Sequence, residues 1–132
     1  MRINHTVATA MSIAMLAFTF IACETDKAKA QEIGLERGNW IKQQQLYAIE
    51  NGKFGNFTQI KYTAPAEGNF TYSSEIKNGG VYWIAKNKED LGKCPAGSQW
   101  ILLIKNPDET KVEAVLPENK SCQELTSNFT KN

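Results

Sequence analysis

The chain has 132 residues, enough for one domain. Its 15 basic and 14 acidic residues nearly cancel, to a net charge of +1, and lie interspersed along the chain, so the basic stripe of a nucleic-acid binder is missing and no nucleic-acid partner is expected. The single histidine is His5, close to the N-terminus, which removes Ser-His-Asp and Cys-His catalysis and most catalytic zinc sites from the rest of the chain.

Arg2 gives a short basic start, Thr6 to Cys23 carries no charge, and Glu24, Asp26, Lys27 and Lys29 end the apolar run sharply. This is the layout of a secretory signal, and the run is also long enough to cross a bilayer as an uncleaved N-terminal helix. Two processing sites compete. Phe20-Ile21-Ala22-Cys23 matches a bacterial lipobox except that Phe20 stands where Leu is usual, and it would place a lipid on Cys23. Ala28-Lys29-Ala30 before Gln31 is an A-x-A site for ordinary signal peptidase. The chain therefore divides into a signal peptide at 1–22 (to residue 30 by the second site), a polar tether at 23–30 and a globular domain at 31–132. The expected location is the bacterial cell envelope, membrane-anchored or periplasmic. Either cleavage removes or lipidates Cys23, leaving Cys94 and Cys122 as an even pair in an oxidising compartment, where a disulfide is expected ahead of two unrelated thiols.

Gln31 to Glu50 reads as a helix. Ile33, Trp40 and Tyr47 recur every seven residues, and Ile41 with Ala48 widens the stripe. Gln43, Gln44 and Gln45 are good helix formers lying mostly off that stripe, whereas Gly34 and Gly38 suggest a frayed beginning or a close approach by another chain. Asn51-Gly52 is a left-handed stop. Beyond a Gly- and Phe-containing loop the pattern alternates: Phe70, Tyr72, Ser74 and Ile76 share a face, Asn78-Gly79-Gly80 is a turn, and Val81 to Ala85 is an apolar strand. Trp100 to Ile104 is continuously apolar and reads as a central strand. Asn106-Pro107-Asp108-Glu109 is a turn, and Lys111 to Leu116 alternates again until Pro117. The expected fold is α+β, one long N-terminal helix packed on a four-stranded antiparallel sheet.

Little in the sequence carries chemistry. The pairs Glu89-Asp90 and Asp108-Glu109 read as solvated turns, with a weak surface Ca²⁺ site as the functional alternative. The glycines at 52, 55, 79 and 80 fit no phosphate-cradling pattern. Four N-x-S/T tripeptides beyond the signal region, at Asn56, Asn69, Asn119 and Asn128, would suggest glycosylation in a eukaryotic secreted protein but not behind a bacterial signal. No catalytic residue, metal or cofactor is assigned.

The stretch from Trp40 to Phe54, WIKQQQLYAIENGKF, resembles the end of the long helix in type IV pilins and pseudopilins, and NFTYS at Asn69 to Ser73 is similar to the start of their first strand. The resemblance covers roughly residues 31 to 116 and implies a long helix, a short loop, an antiparallel sheet and a disulfide near the C-terminus. The filament-building end departs from the family: Ala17-Phe18-Thr19-Phe20-Ile21 lacks the Gly before its Phe, and Ala22 stands where the family has Glu. The resemblance thus implies a pilin-like domain behind a lipoprotein-type or secretory signal, non-enzymatic, an accessory or binding module. Its expected partners are the membrane, through Cys23 or an uncleaved N-terminal helix, and pilus or type II secretion proteins. Trp40, Tyr47 and Phe54 are the candidate contact residues, with a core role competing at each; Trp83 and Trp100 read as core. Two alternatives stand beside this reading. One is a free-standing periplasmic or surface lipoprotein that binds a small ligand or inhibits an enzyme, and the other an enzyme with a Lys or carboxylate catalyst, Glu89 and Asp108 being the carboxylates to test.

Overall fold

A computed structural model describes residues 25–107 and 111–130. In chain order the elements are α1 (Asp26–Asn51), β1 (Phe70–Lys77), β2 (Gly80–Asn87), β3 (Gln99–Ile104), β4 (Glu113–Val115) and a short α2 (Lys120–Leu125). The strands form one four-stranded antiparallel sheet in the order β1-β2-β3-β4, so each strand pairs with its sequence neighbour. The class is α+β.

Helix α1 starts five residues before the apolar pattern suggests. The Thr25 side chain caps it by accepting from the Ala28 N–H at 3.1 Å, and Asp26 sits in the first turn, where the helix dipole favours an acid. Ala28 and Ala30 then favour helix, and Ala30 is buried with 1% of its surface exposed. Residues 26–30, expected as part of a tether, are helical for these reasons. The helix also runs unbroken through Gly34 and Gly38, because Ala30 and Ile33 anchor the turns ahead of them in the core. Gly52, at φ 67°, closes the helix as expected, its N–H returning to the Ala48 carbonyl at 2.8 Å.

The β1–β2 turn follows directly from its residues. Asn78 and Gly79 both take positive φ, 52° and 77°, the requirement of a two-residue hairpin closed by the Lys77–Gly80 pair. Alternation then sends Phe70, Val81, Trp83, Ala85, Trp100, Leu102 and Ile104 into the same core cluster as Ala30, Ile33 and Trp40 of α1. Trp83 is its hub. Its ring stacks near Trp40 (centroids 6.1 Å apart), Tyr72 (5.4 Å) and Phe129 (6.3 Å), so strand, helix and C-terminal segment meet at one side chain.

The C-terminal segment holds the other departure from the expected elements. Residues 120–125 form α2, capped by Asn119, whose Oδ1 accepts from the N–H groups of Ser121 and Cys122. A six-residue helix leaves too short a run for apolar periodicity to show. Cys94 and Cys122 form a disulfide, with Cα atoms 4.8 Å apart. The Trp100 indole N–H donates to Thr126 at 2.7 Å and fastens the segment further.

Candidate functional site

The helix–loop junction contains all three residues singled out as contact candidates. Trp40 has no exposed surface and Phe54 has 9%, so both belong to the core, while Tyr47 packs at its margin, half-buried. Between them stands Gln44, which the sequence pattern set off the apolar stripe. It is fully buried and grips the loop with both ends of its amide: Nε2 donates to the Gly55 carbonyl at 2.8 Å, and Oε1 accepts from the Gly55 N–H at 3.0 Å. Gly55 fits because a Cβ there would lie 2.9 Å from the Tyr47 ring and 3.0 Å from Ile60. The next turn is shaped by Asn56 and Gln59, each accepting the other's backbone N–H, at 2.8 and 2.9 Å, in the reciprocal manner of a capping box. Phe57 seats its ring edge-on to Tyr62 at 4.8 Å, so the loop's aromatic residues pin it inward.

Two carboxylates one helical turn apart on α1 form the most concentrated cluster of ionisable groups. Glu32 accepts from the Tyr72 hydroxyl at 2.6 Å and from the Asn69 N–H at 2.7 Å; Glu36, itself 8% exposed, accepts from the Tyr62 hydroxyl at 2.9 Å. Burial first, and then the accepting carboxylates, push both tyrosine hydroxyls well above their ordinary value of 10.0. Neither phenol can then serve as a base near neutral pH. The cluster ties α1 to the loop and to β1.

The same shift gives a test. A phenol raised in the folded state stabilises fully below the unfolded value and loses that contribution as pH rises through the folded one. Stability should fall above about pH 10, at roughly 1.4 kcal/mol per pH unit for each tyrosine. Tyr72→Phe should cost about 1–3 kcal/mol at pH 7, the worth of a hydrogen bond to a charged group, and should make the alkaline fall shallower. Urea unfolding at pH 7 and pH 11 measures both, and an unaltered slope would count against the assignment.

Asp90 accepts from the Ala96 N–H at 2.8 Å and shapes the loop after β2, while Asp108-Glu109 lies outside the described residues. The organiser of that loop is Asn87, 2% exposed, whose Nδ2 donates to the carbonyls of Glu89 and Pro95 and whose Oδ1 accepts from Ser98. Among the described residues no group of three or more His, Cys, Asp or Glu could hold a metal. Of the N-x-S/T asparagines, Asn56 and Asn119 serve as caps and Asn69 binds Glu32. Cys23 lies outside the described residues, and among those described no helix is long and apolar enough to cross a membrane.

Of the hollows beside α1, two share Arg37 in their walls. One, of about 350 Å³, lies between α1 and residues 125–129; the other, of about 580 Å³, lies between α1 and Lys111-Val112. Arg37 borders both, its guanidinium over the Phe129 ring at 5.8 Å, and burial draws its pKa below the usual value. Lys27, Lys42 and Lys111 add further cations, and among the described residues no acidic side chain lines either hollow. Such walls suit an anionic or amphipathic ligand. No protein-family model, curated protein or solved structure matches the chain.

Proposed function

We propose that the chain is a non-enzymatic exported protein of the bacterial cell envelope, built on a pilin-like plan. It acts as an accessory or binding module associated with type IV pilus or type II secretion machinery. One observation carries the reading: a long helix ending at Asn51-Gly52 leads through a tightly packed loop into a four-stranded antiparallel meander. The helix cap also supports a lipid anchor on Cys23. Processing there leaves α1 whole, whereas cleavage after Ala30 removes the Thr25 cap and a buried core residue.

Mass spectrometry of the mature protein tests the anchor: the expected N-terminus is a lipidated Cys23, and a free Gln31 or a retained Met1 would overturn it. Crosslinking in cells followed by purification tests the partner. Recovery of pilus or secretion subunits is expected, and their absence under conditions that capture known partners would defeat that part of the reading. The cation-lined hollows beside α1 favour a second reading, a free-standing envelope lipoprotein that binds a small anionic ligand.

A further inference from the structure

An asparagine followed by glycine is open to attack on its own side chain, because a residue without a Cβ leaves its backbone nitrogen unshielded and its backbone free to turn. The chain has two such pairs, Asn51-Gly52 and Asn78-Gly79, and both asparagines are exposed. The fold treats them differently. Asn51 is the last residue of α1. Its Nδ2 donates to the Tyr47 carbonyl at 3.0 Å, and the Gly52 N–H donates to the Ala48 carbonyl at 2.8 Å. Both groups that would have to react are therefore held by the helix end. Asn78 and Gly79 are instead the two central residues of the β1–β2 turn, beyond the last ladder pair, Lys77–Gly80. Among the described residues, neither the Asn78 side chain nor the Gly79 N–H has a hydrogen-bond partner. A Cβ placed on Gly79 would meet open space, so solvent reaches its nitrogen.

We infer that Asn78 is a site of spontaneous modification, at which the folded chain deamidates, and that the helix cap spares Asn51. The Gly79 nitrogen gives its proton to hydroxide and attacks Asn78 Cγ. The new N–Cγ bond closes a five-membered succinimide, and the side-chain nitrogen leaves as ammonia. Water then opens the ring. Breaking the N–Cγ bond gives Asp; breaking the bond from the same nitrogen to the main-chain carbonyl gives isoaspartate. Ammonia is lost and water gained, with no oxidant or cofactor. The reacting groups of Asn78 give up no hydrogen bond, whereas those of Asn51 give up two, which slows Asn51 by roughly tenfold or more. The two products differ in consequence. Asp tolerates positive φ much as Asn does, so the two-residue turn survives. Isoaspartate adds a carbon to the main chain, and the turn no longer closes the Lys77–Gly80 pair in register. Strand β1 lies at the sheet edge with β2 as its one strand neighbour, so it bears the loss. The converted fraction grows with time since folding: the turn ages while the cap does not.

Incubating the folded protein at mildly alkaline pH, then reducing it and digesting it with trypsin, tests the assignment. Cleavage at lysine places the two asparagines in separate peptides, 43–53 and 78–86. Mass spectrometry should show amide-to-acid conversion, with an isoaspartate fraction, at least about tenfold faster in 78–86 than in 43–53. In urea, where the helix cap is lost, the two peptides should convert at comparable rates. Equal rates in the folded protein, or faster conversion of 43–53, would overturn the inference. So would a bias toward 78–86 that persists in urea, since it would come from neighbouring residues and not from the fold. Protein carrying isoaspartate at position 78, separated by ion exchange, should melt below Asn78→Asp, and equal melting would overturn the opening of the turn.

Discussion

Reducing the Cys94–Cys122 disulfide will lower the unfolding free energy by about 3–4 kcal/mol, the loop-closure value for the sequence separation of 28 between the two cysteines. For a domain of this size that is a large share of a total in the range of roughly 5–15 kcal/mol. Urea unfolding followed by tryptophan fluorescence, with and without reductant, measures it, and a change under about 1 kcal/mol would refute the expectation. The loss should begin at the C-terminal segment. Without the bridge, α2 keeps its Asn119 cap and the Trp100–Thr126 bond, but nothing covalent holds Phe129 against Trp83. Early loss of fluorescence from the buried tryptophans would mark that detachment.

Gln44→Ala should cost about 2–4 kcal/mol, more than a polar residue on a helix normally would. The substitution removes one side chain but strands two backbone groups, the N–H and C=O of Gly55, inside the protein with no water to replace the amide. Gln44→Glu separates hydrogen bonding from packing because its shape is nearly the same. As a carboxylate it accepts from the Gly55 N–H but opposes the Gly55 carbonyl; protonated, it can serve both. Burial and that carbonyl raise the introduced acid's folded pKa, so its stability is present below the unfolded value of about 4.3 and lost as pH rises. Thermal unfolding of Gln44→Glu should therefore approach the wild-type value near pH 4 and fall away by pH 7. A variant equally stable at both would show that packing alone explains Gln44.

What the sequence revealed depended on whether local chemistry was sufficient. Asn78-Gly79 was legible because only residues tolerant of positive φ make that turn, and Asn51-Gly52 was legible for a similar reason. The four strands and the Cys94–Cys122 pairing followed from periodicity and cysteine arithmetic. Thr25 was overlooked as a cap because the charged stretch after it also fits the end of a leader, and local pattern does not choose between the two. Gln44, Glu32 and Glu36 were missed because a polar residue on the buried side of a helix looks like surface until its partner is known. Each partner lies far along the chain, at Gly55, Tyr72 and Tyr62. A spacing signal did exist for Gln44, which stands four residues from both Trp40 and Ala48. The continuous apolar run of β3 was read correctly as central, yet its outer half marks a face that the core leaves uncovered.

The disulfide has a topological consequence as well as an energetic one. Residues 94 to 122 form a closed covalent ring that contains β3 and β4, with α1, β1 and β2 on the chain leading into it. A protease that cuts at exposed Lys105 or Lys111 opens this ring without releasing any piece of the protein. While the disulfide is intact, such a nicked molecule remains one covalent unit, heavier only by the water of hydrolysis, and the two parts stay positioned to hold the sheet together. The connectivity of the chain thus tolerates a backbone cut in this region.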